Sequence, residues 1–82
     1  MTRRDGNGRG ASREVMGRIT IVQEDRIRLL DDDELGYLLV VRKGSARHRD
    51  LERWRDLRTR VRVRFSGVPD EGAVAEVIEP VD

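Results

Sequence analysis

The 82-residue chain contains no cysteine, which excludes a disulfide framework and thiolate metal sites and leaves its redox compartment open. It has one histidine, His48, so no pair of imidazoles exists to build a zinc site. Its aromatic residues are Tyr37, Trp54 and Phe65 alone, too few for a broad stacking surface. The longest uninterrupted apolar run is Leu38-Leu39-Val40-Val41, far short of the ~20 residues that a membrane-spanning helix needs. The N-terminus is basic without an apolar signal core, which predicts a cytoplasmic protein with no membrane association. Ser12, Ser45 and Ser66 lie in no nucleophile motif, and no glycine-rich loop joins a strand to a helix as a phosphate cradle. These absences predict a protein that is not an enzyme and carries no cofactor or metal.

What is present is charge. Charged residues make up 40% of the chain and hydrophobic residues 37%. Sixteen of the seventeen basic side chains are arginine, a bias that points first to a GC-rich genome. The charge is unevenly placed. Residues 1–14 hold Arg3, Arg4, Arg9 and Arg13 against Asp5 and Glu14, a net +2, together with Gly6, Gly8 and Gly10. No strand or helix period fits them, and their burial cannot offset the entropy of ordering, so they are expected to form a flexible Arg/Gly-rich tail. Met16 stands just before the first strand pattern as an alternative start. The remainder carries a net −1, and residues 15–82 are expected to form one small domain. A chain this short buries only about 60% of the surface it exposes when unfolded, leaving no room for a deep cleft.

Hydrophobic periodicity orders that domain. Ile19 and Ile21 alternate with polar residues in a first strand near Val15–Gln23, where Gly17 permits a bend or bulge. Arg26–Leu30 alternates as a second strand, and Tyr37–Arg42 forms a third whose continuous apolar run predicts burial on both faces. Between Ala46 and Thr59 the period changes. Leu51, Trp54 and Leu57 recur at intervals of three, one stripe of a helix that Ser45 or Asp50 would cap. Val61, Val63 and Phe65 alternate with arginines in a fourth strand, and Ala73–Glu79 forms a fifth with an ambiguous inward face.

Three strands, a helix and two strands is the order of an OB-fold, a five-stranded Greek-key barrel with the helix closing one end. A Sm-like half-open barrel competes, but a helix after the third strand argues against it. The chain resembles short bacterial OB-fold proteins of unknown function. The resemblance rests on Gly17-Arg18-Ile19, the Val61 to Phe65 strand, Gly67-Val68-Pro69 and the closing Ala75–Pro80 segment, and covers residues 16–80. It implies a mainly β barrel. It is also similar to the cold-shock barrel, but without that family's cluster of exposed aromatics.

OB-folds often bind single-stranded nucleic acid on the second and third strands. The candidate contacts are therefore Arg18, Arg26, Arg28 and Tyr37, with Tyr37 as the one stacking platform. Arg60, Arg62 and Arg64 project from one face at intervals of about 6.6–6.8 Å, close to the phosphate spacing of an extended strand. The competing reading of these three is cross-strand pairing with carboxylates such as Glu76 or Glu79. Asp31-Asp32-Asp33-Glu34 offers oxygens to a divalent cation but lacks the spaced EF-hand pattern, so it reads as a solvated hairpin tip. The expected function is a binding module for single-stranded RNA or DNA, or alternatively a module that docks a protein partner through a strand edge or apolar surface.

Overall fold

The computed structural model describes residues 12–68 and 72–81. Its elements are β1 (Ser12–Gln23), β2 (Arg26–Asp31), β3 (Gly36–Val41), α1 (His48–Leu57), β4 (Arg60–Ser66) and β5 (Ala73–Pro80). Ser12, Arg13 and Glu14, expected in the tail, belong to β1, while residues 1–11 of that expected tail lie outside the described residues. The chain is mainly β. Its five strands form one mixed sheet that closes in a ring in the order β1-β2-β3-β5-β4. All pairings are antiparallel except β3 with β5, where Leu39–Val41 run parallel to Ala73–Ala75. No helix among the described residues is long and apolar enough to cross a membrane.

The length of β1 follows from its two neighbours. Ser12–Arg18 pair with β4 and Gly17–Gln23 pair with β2, so Gly17 and Arg18 serve both. At Gly17 the two strands are so close that a Cβ would sit 2.2 Å from the Leu30 carbonyl oxygen. Glycine is required there by close approach. The bulge falls three residues later: Ile19 faces Leu29 while Ile21 faces Arg28, leaving Thr20 as the extra residue. One extra residue reverses the alternation. Ile19 is therefore buried and Ile21 exposed, although the two share a phase in the sequence.

A second bulge settles β5. Arg64 pairs with Val77 and Phe65 with Ala75, so Glu76 is the extra residue. Ala73 and Ala75 point inward before it and Ile78 after it, whereas Val77 points out. Neither simple alternation accounts for that face. In β3, Leu39 and Val41 are buried but Leu38 is 56% exposed, so the apolar run is covered on one face only.

The core is made of twelve buried apolar residues, with Ile27, Leu29, Leu39, Leu51, Val61 and Val63 the largest of those fully enclosed. No polar or charged residue is buried among the described residues, so no buried charge has to be compensated. Full burial of a leucine such as Leu51 contributes about 1.5–3 kcal/mol, which is what fastens α1 to the ring. Trp54 packs against the core only in part, and Leu57 is 66% exposed. The reason is geometric: each step of three residues falls about 60° short of a full turn, so Leu57 lies about 120° from Leu51. Neither expected cap is used. Arg47 occupies the N-cap position with no side-chain bond, and Ser45 instead donates its hydroxyl to the Arg42 carbonyl at 2.7 Å. Asp50 lies in the first turn, where it suits the helix dipole.

Candidate nucleic-acid interface

The pairing register places the candidate arginines. Arg18 faces Leu30, which faces Gly36; Ile21 faces Arg28, which faces Leu38; and Gln23 faces Arg26, which faces Val40. These rows lie on the outer face of β1, β2 and β3, about 4.7–4.9 Å from strand to strand. Arg18, Arg26 and Arg28 thus share one surface with the exposed side chains of Ile21 and Leu38. No carboxylate-bearing residue occupies a position in those rows. Asp25, in the turn between β1 and β2, stands 3.8 Å from Arg26 in an exposed pair. Arg28 lies against Gly36: a Cβ at that glycine would be 3.2 Å from both its Nε and an Nη. The missing side chain leaves the guanidinium a place on the sheet.

Tyr37 is not on this face. It pairs with Leu29 and shares its inward phase, half-buried against the core. Its ring lies 5.9 Å from that of Phe65, tilted by 59°, and Arg13 stacks over Phe65 with its guanidinium carbon 5.5 Å from the ring centre. The Tyr37 hydroxyl donates to Asp31 Oδ2 at 3.1 Å. Burial, reinforced by this bond to a carboxylate, raises the phenol above its ordinary value. The side chain expected to stack a base packs against the core instead, because its register opposite Leu29 turns it inward, where Phe65 and Asp31 hold it.

The acidic hairpin tip is organised by Asp31. Its Oδ1 accepts the backbone N–H groups of Asp33 at 2.8 Å and Leu35 at 2.9 Å. The Leu35 bond is the main reason its carboxyl lies below the ordinary value; Tyr37 and Asp33 add to the effect and burial opposes it. That carboxylate is committed to the turn, and no group of three or more metal-ligating side chains occurs among the described residues.

Arg60, Arg62 and Arg64 project outward from β4 as their alternation predicts, but they divide in role. Arg60 pairs with Asp32 of the hairpin tip. Arg62 stands 3.5 Å from Glu79 on the adjacent β5, the cross-strand pairing that competes with phosphate contact. Glu76 is taken by Arg42 at 3.8 Å and by the Ser66 hydroxyl at 3.2 Å. Arg64 lies between Glu14 and Val77. Arg18 links the two arginine sets, facing Leu30 on one side and Arg60 on the other. His48 is exposed and sits 3.6 Å from Glu52, one helical turn along.

Ile21 and Leu38, both expected to be buried, also belong to the face. A bulge turns Ile21 outward, and nothing in the local pattern marks it. The chain matches no known family model, and no curated protein or solved structure resembles it closely enough to count as a match.

Proposed function

We propose that the protein is a small non-enzymatic OB-fold barrel whose β1–β2–β3 face binds single-stranded nucleic acid with little sequence preference. The observation that carries this reading is the grouping of Arg18, Arg26 and Arg28 on one face whose rows contain no carboxylate. The ring order, the parallel β3–β5 closure and the helix between β3 and β4 support the OB-type barrel. Guanidinium groups bond phosphate oxygens through paired N–H donors, and their flat faces stack on bases where aromatics are absent. Ile21 and Leu38 flank Arg28 and give such a base an apolar border. Arg60 and Arg62 are occupied by carboxylates and serve the fold first.

Affinity from three phosphate contacts is modest and depends on salt. For single strands the logarithm of the binding constant falls by about 0.7 per contact per decade of salt, so a slope near −2 is expected. Fluorescence anisotropy with a labelled oligonucleotide of about ten nucleotides measures it. The measurement is repeated on protein lacking residues 1–11, a cut that leaves β1 whole. A slope near −2 in both proteins supports the reading. Absence of binding at low salt rejects it.

A second reading draws on the 56% exposure of Leu38, with Val40 two residues along β3 and Ile21 on the far side of Arg28: the same face docks a protein partner. Strand addition is the less favoured form of it, since every strand already has two neighbours in the ring.

A further inference from the structure

The bulged part of β1, Leu30 of β2 and the C-terminal end of α1 border an open-sided recess of about 290 Å³. It is lined by Arg18, Arg55 and Arg58 with Ile19, Thr20 and Leu30, and by no carboxylate. Three arginine side chains border one recess without a lining carboxylate, so an anion there would be favoured by their summed charge. Arg55 is partly neutralised, since its Nε bonds Asp56 at 3.0 Å. Arg18 and Arg58 have no ion-pair partner among the described residues.

Arg58 is held there against its backbone preference. It ends α1 in the left-handed conformation, φ 54° and ψ 38°, where glycine is the usual residue. A large cationic side chain at that position therefore exacts a strain that glycine would avoid. The helix C-terminus would ordinarily discourage an anion. Two of its last four carbonyls, those of Trp54 and Arg55, are bonded by the amides of Thr59 and Arg58, at 2.9 and 3.2 Å, which reduces that opposition, and the arginine charges have to outweigh the rest.

We infer that this cavity is a phosphate site, and that it receives the terminal phosphomonoester of a strand lying on the β1–β2–β3 face. The strand-end part of the inference rests on the nucleic-acid reading of that face. Arg18 and Leu30 belong to both, so the recess adjoins the face. A terminal phosphomonoester carries close to two negative charges at neutral pH, against one for each internal phosphate. A triple-arginine recess suits the former. Free phosphate presents the same chemistry, and the experiment separates the two sources.

Anisotropy titrations compare one oligonucleotide with and without a phosphate, at its 5′ end and at its 3′ end. The phosphorylated form is expected to bind about tenfold tighter at one end, the equivalent of one strong charge-assisted bond. Arg58→Gly should abolish that preference, leave the unphosphorylated oligonucleotide bound within about twofold, and raise the melting temperature by removing the strain. Arg53→Ala, which removes a charge from an exposed residue of the same helix outside the cavity, should keep the preference. Equal affinity for phosphorylated and unphosphorylated forms at both ends, or a preference that survives Arg58→Gly, overturns the strand-end site. If no oligonucleotide binds, the strand-end role falls with the face reading, and inorganic phosphate then judges the cavity alone. A rise in melting temperature with phosphate that is lost in Arg58→Gly supports a site for free phosphate; no rise overturns it.

Discussion

Gly17→Ala adds a single methyl group and should still cost a large share of the stability of this fold. The new carbon would lie 2.2 Å from the Leu30 carbonyl oxygen and 2.8 Å from the Asp31 Cα, both backbone atoms that no rotamer change can move. Non-bonded heavy atoms settle near 3.5–4.0 Å, so β1 and β2 must separate there by about 1 Å or more. A backbone hydrogen bond stretched by that amount passes the ~3.6 Å at which it ceases to count. Loss of about two ladder bonds, with the overpacking strain, gives an expected destabilisation of about 2–5 kcal/mol. A chain of this size has about 4–12 kcal/mol in total, so the melting temperature should fall by more than about 10 °C. Thermal unfolding followed by far-ultraviolet circular dichroism reads this directly. The control is Gly36→Ala, whose Cβ meets only the mobile end of the Arg28 side chain. Its melting temperature should hold or rise, by the equivalent of about 0.4–1 kcal/mol from reduced freedom of the unfolded chain. A Gly17→Ala protein that melts within about 3 °C of the wild type would refute the close-approach argument.

The other expectations concern the helix, the hairpin and the arginines of β4. Leu51→Ala removes the one buried side chain of α1 and should cost about 2–5 kcal/mol in urea unfolding. Asp31 has a folded pKa below its ordinary 3.8, so its contribution is complete above that pH and fades as pH falls through the folded value. Asp31→Asn should therefore lower stability near neutral pH, and the difference from wild type should narrow only below about pH 3.8 in acid titrations of unfolding. Arg62→Ala breaks an exposed pair with Glu79 and should cost less than about 1 kcal/mol while leaving oligonucleotide affinity within about twofold.

The sequence makes the element order and most of the core legible because hydrophobic periodicity reports directly on burial. The alternation in Val61, Val63 and Phe65 survives unchanged, since β4 carries its bulge on the partner strand and not on itself. Periodicity fails where the backbone inserts an extra residue. Thr20 and Glu76 each reverse the phase of the residues after them, and no residue type at either position announces it. Leu57 shows a different failure, because a spacing of three drifts off one helix face within two turns. For the face, the charges of Arg18, Arg26 and Arg28 are legible but their shared side depends on register, which only pairing supplies. Tyr37 could not be placed without the Phe65 ring and the Asp31 carboxylate that hold it inward.

The proposed function places single-stranded nucleic acid on the outer face of β1, β2 and β3. Chemical-shift mapping of backbone amides during titration with a short oligonucleotide at low salt tests it residue by residue. The largest changes are expected at Arg18, Ile21, Arg26, Arg28, Gly36 and Leu38, with Arg62, Arg64 and Glu79 unmoved. Changes centred on Arg62 to Glu79, or none at all at saturating oligonucleotide, would contradict it.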